Sequence, residues 1–160
     1  MNFKKILCIL FPAYESTKPK LINPPFSMKT HFTNVKVRYA ETDQMGVVHH
    51  GNYAQYLEIA RIDWLEQFNI SYGQMEKDGV MLPVYSMQFR FHKPAVFDDI
   101  LTIHTRLKAI PSVKIAFEYK IYNQQKELLT SASTELVFMD AKTKRPIRCP
   151  QFIIDKIEEN

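Results

Sequence analysis

The chain has 160 residues, 46% of them hydrophobic, enough for one globular domain with a real core and too few for two. Its net charge of +4 is concentrated in residues 1–27, which carry four Lys and one Glu, while residues 28–160 hold 17 basic and 16 acidic groups. That near-neutral body excludes the continuous basic stripe of a nucleic-acid binder, and Cys8 and Cys149 are too few and too far apart for a disulfide framework or a zinc site.

Sparse cysteine makes a reducing, cytoplasmic setting the plainer expectation. At the N-terminus, Lys4 and Lys5 precede a short apolar run, Ile6 to Phe11, that ends at Pro12. The run is too short to cross a bilayer and no small-residue cleavage site follows it, so no membrane partner is expected. Residues 1–27 therefore read as a disordered or mis-assigned leader, and residues 28–160 as a single domain.

The first patterned segment is a strand in which Val35, Val37 and Tyr39 alternate with Asn34, Lys36 and Arg38. A loop follows with Asp43, Gly46, His49 and His50. From Tyr53 the period changes: Tyr53, Tyr56, Leu57, Ala60, Trp64 and Phe68 fall at helical spacing, with Glu58, Arg61 and Glu66 elsewhere. Asn52 is the expected N-cap and Gln55 its capping-box partner. Ile59, Ile62 and Leu65 widen the apolar stripe nearly all round, which predicts a buried helix.

Gly73 and Gly79 mark turns, and four strands then follow. Their apolar phases are Tyr85–Met87–Phe89–Phe91, Leu101–Ile103–Leu107, Val113–Ile115–Phe117–Tyr119–Ile121 and Leu128–Ala132–Leu136–Phe138, and the aromatic and Met content of Tyr85 to Phe91 offers outward apolar material for a contact between copies. Short connections suit antiparallel neighbours. The result is an α+β domain: a five-stranded, largely antiparallel sheet wrapped around one long central helix.

The loop carries the chemistry. A helix start offers unpaired N–H groups and a positive dipole end, where an oxyanion is stabilised, and a carboxylate beside it supplies a base or nucleophile. That pairing is what hydrolysis of an activated acyl group requires. No nucleophile-elbow serine, phosphate-binding Gly-Lys-Ser/Thr loop or His-Glu-x-x-His helix occurs.

Three segments, Val37 to Tyr53, Tyr56-Leu-Glu-Ile-Ala-Arg61 and Lys93-Pro-Ala-Val-Phe-Asp-Asp99, resemble the signature of the 4-hydroxybenzoyl-CoA thioesterase and YbgC-type acyl-CoA thioesterases. The resemblance covers about residues 30 to 140. It implies the hotdog fold, an acyl-CoA substrate, hydrolysis without a cofactor, and a homodimer assembling to a homotetramer whose active sites lie at the seam between edge strands. It places the catalytic acid on Asp43 and the oxyanion donor on the backbone N–H of His50, with Gly46 allowing the turn between them.

The remaining candidates each have a plainer alternative. Asp43 alone could be a turn residue, and the His50 imidazole could pack while its backbone works. His49 either lines the entry with Gly51 and Tyr53 or is structural, and a metal pair lacks an acidic or Cys partner set. Tyr39 could shape the Asp43 pocket or be core. Met45 and Met81 could line the acyl site or fill core. Glu58 could be a second carboxylate or the partner of Arg61 or of a strand residue. Lys108, Ser112 and Lys114 could hold the CoA nucleotide or be edge charges. The rival functions are a non-catalytic acyl-thioester-binding hotdog domain and a hotdog enzyme acting on acyl-carrier-protein thioesters.

Overall fold

The structure is a computed structural model, and it describes residues 29–159. The leader expected over residues 1–27 lies outside them. In chain order the elements are β1 (His31–Lys36), a 3-10 turn (Tyr39–Glu41), α1 (Asn52–Glu66), α2 (Tyr72–Lys77), β2 (Val80–Met81), β3 (Val84–Phe91), β4 (Ile100–Leu107), β5 (Lys114–Tyr122), β6 (Leu128–Val137), β7 (Met139–Asp140) and α3 (Gln151–Glu158).

Five strands form one antiparallel sheet in the order β1-β4-β5-β6-β3. Its inner face, with Leu101, Ile103, Ile115, Phe117, Ile121 and Leu136, is buried against Tyr56, Leu57, Ala60 and Trp64 of α1. Trp64 meets Phe117 edge-to-face at 5.0 Å. This is the α+β hotdog arrangement, with the strand phases of β4, β5 and β6 inward as expected.

The helix departs from expectation in three places. Asn52 is not the cap: it is the first helical residue, Gly51 holds the cap position without a side-chain bond, and Asn52 instead donates from Nδ2 to the Glu41 carbonyl at 2.7 Å. Burial is one-sided, because a single sheet covers only one face; Ile59 is 45% exposed on the open side. Arg61 is buried, with its Nε and Nη1 lacking partners among the described residues. Its neighbour is the Tyr119 hydroxyl rather than Glu58, which is exposed.

Four further elements, α2, β2, β7 and α3, were not expected. Gly73 lies inside α2, whose N-cap Ser71 accepts from the Gln74 N–H at 3.3 Å, whereas Gly79, at φ +88°, is a turn residue. The two-residue strands β2 and β7 pair as a separate ribbon, and Met81 sits there. Helix α3 buries Ile153 and Ile157 one turn apart, and Lys156 donates to the Asn69 carbonyl at 2.7 Å. Just before it, burial pushes the Cys149 thiol up to about 12, so no thiolate is available there at neutral pH.

β1 is an outer strand fastened to α1 through Asp63, whose Oδ2 accepts from His31 Nε2 at 2.9 Å and from Thr33 Oγ1. Burial raises the Asp63 pKa, but the bonds from Thr33 and His31 outweigh it and hold the carboxyl below its ordinary value. The stabilisation is therefore complete above about pH 4 and is lost as pH falls through the depressed value. Asp63→Asn is expected to lower the urea midpoint at pH 7 and to leave it unchanged at about pH 2. Equal wild-type and variant midpoints at both pH values would remove Asp63 from the account.

Candidate active site

Between β1 and α1 the chain folds back on itself as a small hairpin. Thr42 bridges Val48, Asp43 N–H donates to the Val47 carbonyl at 2.9 Å, and Gly46 N–H returns to the Asp43 carbonyl at 2.9 Å. Gly46 sits at φ +75°, a conformation that penalises a side chain, so the glycine closes the turn. A second set of bonds fixes the hairpin against the β3–β4 connection: Val47 bridges Val96, and Val48 N–H donates to the Ala95 carbonyl at 2.8 Å.

Asp43 is half-buried in this turn. One carboxylate oxygen, Oδ1, accepts from the Met45 N–H at 2.8 Å, an Asx-turn that fixes its rotamer, and Oδ2 has no partner among the described residues. At the other end of the hairpin α1 begins. Gly51 N–H is taken by His49 Nδ1 at 3.2 Å, while the His50 N–H has no partner among the described residues. The His49 bond places the imidazole proton on Nε2. A Cβ on Gly51 would lie 3.2 Å from His49 Nδ1, which is why a residue without one suits the position. The two imidazoles lie against each other at 4.1 Å.

Glu41 holds the hairpin to the helix, and sequence reasoning missed it. Its carboxylate is 6% exposed. Oε2 accepts from Arg38 N–H at 2.7 Å and from the Tyr56 hydroxyl at 2.8 Å, and Oε1 accepts from Arg38 Nη2 at 2.6 Å. Its carbonyl accepts from His49 N–H at 2.9 Å and Asn52 Nδ2 at 2.7 Å. Burial pushes the Glu41 carboxyl up, but the bonds from Arg38 and Tyr56 win and hold it below its ordinary value. Burial, together with this carboxylate, pushes the Tyr56 hydroxyl well up. Strand parity gave no signal for it, because the chain leaves the strand before Tyr39 and the burial of Glu41 is set by its bonds to Arg38 and Tyr56.

Tyr39 does not continue the strand. Pairing with β4 ends at Lys36, and the Arg38–Glu41 bonds pull the chain into the 3-10 turn. Tyr39 is consequently 77% exposed and stands edge-on to Phe97 at 5.6 Å, so it is neither strand nor core. Met45, 80% exposed, is at the tip of the Asp43 turn. Tyr53 is buried at the helix start and meets Phe91 of β3 at 5.1 Å. The structure thus gathers Asp43, Met45, Gly46, His49, His50, Gly51 and Tyr53 at one end of the sheet.

Lys108, Ser112 and Lys114 are not brought there. They flank the turn after β4, whereas the Asp43 hairpin is bound to the segment before it, so the length of an eight-residue strand, about 25 Å, separates them within one chain. Lys114 pairs with Glu135 at 3.2 Å and lies 3.8 Å over the Tyr85 ring. The Ser112 carbonyl accepts the Cys149 N–H. Among the described residues no cluster of three or more His, Cys, Asp or Glu could hold a metal ion, and no helix is long and apolar enough to cross a membrane.

Residues 37–157 match the thioesterase-like superfamily. Among curated relatives, the putative acyl-CoA thioesterase YneP of Bacillus subtilis is 34% identical over 114 residues, 71% of this chain and 83% of that protein. The acyl-CoA thioester hydrolase YbgC of Escherichia coli is 29% identical over 125 residues, 78% of this chain and 93% of that protein. The DHNA-CoA thioesterase of Staphylococcus aureus superposes with a TM-score of 0.75 at 35% identity, covering 79% of this chain and 85% of that one. With a family match that takes in the Asp43 hairpin, α1 and four of the five sheet strands, this chain belongs to the thioesterase-like superfamily.

Proposed function

We propose that this protein hydrolyses acyl-CoA thioesters to the free acid and CoA, with Asp43 as the catalytic carboxylate and the His50 N–H as oxyanion donor. One observation carries the reading: a carboxylate with one oxygen pinned and the other without a partner among the described residues sits in a hairpin tied directly to an N–H at the start of α1 that likewise has no partner among them. The thioester carbonyl oxygen accepts from that N–H, which favours negative charge on it. Asp43 then removes a proton from water as the water oxygen bonds to the carbonyl carbon, or it attacks first and water cleaves the mixed anhydride. In either route the C–S bond breaks and the CoA sulfur leaves as a thiolate that takes up a proton. No cofactor enters the reaction.

The assay is thiol release from short, medium, long and aromatic acyl-CoA esters, run beside the same acyl groups on acyl-carrier protein. Turnover of at least one acyl-CoA is expected. Binding of acyl-CoA without turnover would leave the non-catalytic reading standing, and turnover of only the carrier-protein esters would move the substrate to that class.

A second copy completes this proposal. β3 is an outer strand, with Tyr85 66% and Phe91 51% exposed along it. Antiparallel pairing of two β3 strands joins the sheets and sets the Val84 end of one beside the Phe91 end of the other. The Val84 end is also where β5 begins, so Lys108, Ser112 and Lys114 of the partner subunit approach the Phe91–Tyr53 end that holds Asp43. The nucleotide of CoA would meet those cations across the seam. A homodimer, assembling further to a homotetramer, is the expected active species; a fully active monomer in light scattering at assay concentration would refute the shared site. A protein beginning at Met28 is expected to retain activity within about tenfold of the full chain (~1.4 kcal/mol in barrier), and a larger loss would assign the leader to the working structure.

A further inference from the structure

On the sheet face turned away from α1 lies a concavity of about 620 Å³. It shares no lining residue with the Asp43 hairpin or α1. The register of the sheet builds it. Arg90 pairs with Ser131, Ser131 with Lys120, and Lys120 with His104, so these four side chains form one row across β3, β6, β5 and β4. The adjacent row runs Gln88, Ser133, Glu118, Arg106.

The charges in the two rows do not cancel. Glu118, the carboxylate in the lining, is already engaged by Arg106 Nη2 at 2.9 Å. Arg90 and Lys120 make no ion pair among the described residues and flank Ser131 from either side. The Ser131 hydroxyl meets His92 Nε2 at 3.0 Å, and with that imidazole nitrogen donating, the Ser131 O–H is left to donate to a ligand. Neighbouring strands are about 4.8 Å apart, so both long side chains can converge on one group above Ser131. The His104 pKa is lowered by burial and then by the Lys120 charge, which puts that cation within electrostatic reach of the ring. Beside the cations is an aromatic wall, with the His104 ring 4.6 Å from Tyr122 and 4.7 Å from Phe32.

We infer that this concavity is a second ligand site, separate from the thioesterase site, that takes a nucleoside diphosphate: the phosphates on Arg90, Lys120 and the Ser131 hydroxyl, the base against Tyr122 and His104. A guanidinium fork and an ammonium on either side of a hydroxyl suit a phosphate dianion, and the apolar ring faces suit a heteroaromatic base. The site adds to the acyl-CoA reading and does not depend on it.

The test is isothermal titration of the full chain at low salt with ADP, pyrophosphate and adenosine. ADP is expected to bind, pyrophosphate to compete with it, and adenosine to bind at least tenfold more weakly. Arg90→Glu with Lys120→Glu is expected to remove one ADP site per chain while acyl-CoA turnover persists. Both residues are exposed, and the milder Arg90→Ser with Lys120→Ser pair should act in the same direction. Three results would overturn the inference. One is no ADP or pyrophosphate heat at millimolar concentration. Another is unchanged ADP stoichiometry and affinity in both variants, which puts the nucleotide in the catalytic cleft. The last is a smaller assembly in light scattering for either variant, which makes this face a contact between copies.

Discussion

Replacing Asp43 by Asn is expected to lower kcat/KM for acyl-CoA hydrolysis by about 10²- to 10⁴-fold, the usual contribution of a positioned general base, or about 3–5 kcal/mol in barrier. The substitution isolates chemistry from structure. The amide oxygen of the introduced side chain can still accept from the Met45 N–H, and the backbone bonds to Val47 and Gly46 do not involve the side chain. Thermal midpoint and assembly should therefore match the wild type, and KM should change little. The readout is thiol release over the acyl-CoA panel, with oxygen-18 water in a single turnover to separate the two roles: label in Asp43 marks attack, and label only in the product acid marks base catalysis. Turnover by Asp43→Asn within threefold of wild type on every substrate would remove Asp43 from the mechanism.

Glu41→Leu is expected to be the most damaging substitution away from the reacting atoms. It leaves the Tyr56 hydroxyl and the Arg38 N–H without their acceptor beside an apolar side chain. Hydrogen bonds to a charged acceptor contribute about 1.5–3 kcal/mol each, so a loss of about 3 kcal/mol in stability is expected. The hairpin should also lose its fixed place relative to α1, lowering kcat more than it raises KM. Glu41→Gln keeps the shape and should fall between the two, and Tyr56→Phe removes one bond only. Because the Glu41 carboxyl is held below its ordinary value, its stabilisation is present above about pH 4.5 and fades as pH falls through the lowered value. The Glu41→Gln penalty should accordingly shrink toward about pH 2. A Glu41→Leu protein with wild-type kcat and denaturation midpoint would contradict the anchoring role.

Much of the fold was legible because period and burial agreed. β4 and β5 alternate so regularly that Leu101, Ile103, Ile115, Phe117 and Ile121 could be placed inward from sequence. The Asp43 turn was legible for a different reason: a Gly three residues after an Asp, before two His and a helix, permits few backbones. What failed were positions decided by tertiary partners. Tyr39 has strand parity, but a local Arg38–Glu41 ion pair bends the chain before it. Asn52 has the chemistry of a cap and spends it on the Glu41 carbonyl. Arg61 falls off the apolar stripe in sequence, as a candidate partner of Glu58, and is buried beside Tyr119. Helices α2 and α3 have six and eight residues, too short for a periodic signal to rise above noise. Lys108, Ser112 and Lys114 lie at the other end of the sheet from Asp43 within one chain, and nothing in a linear sequence says which end of an antiparallel strand faces the loop.

The strand order also governs when the protein becomes an enzyme during synthesis. β4, β5 and β6 are joined by short turns and can pair as soon as they leave the ribosome, but β1 has its register with β4, so that His31 waits for Thr105. Until that long loop closes, α1 has no sheet to cover and the Asp43 hairpin has no Ala95 or Val96 to grip. Non-local closures of this kind are slow relative to meander formation. A nascent chain halted just after β1, the hairpin and α1 carries both groups proposed for the chemistry, Asp43 and the His50 N–H, and should have no activity, and in refolding, hydrolysis should recover after the β4–β6 signal.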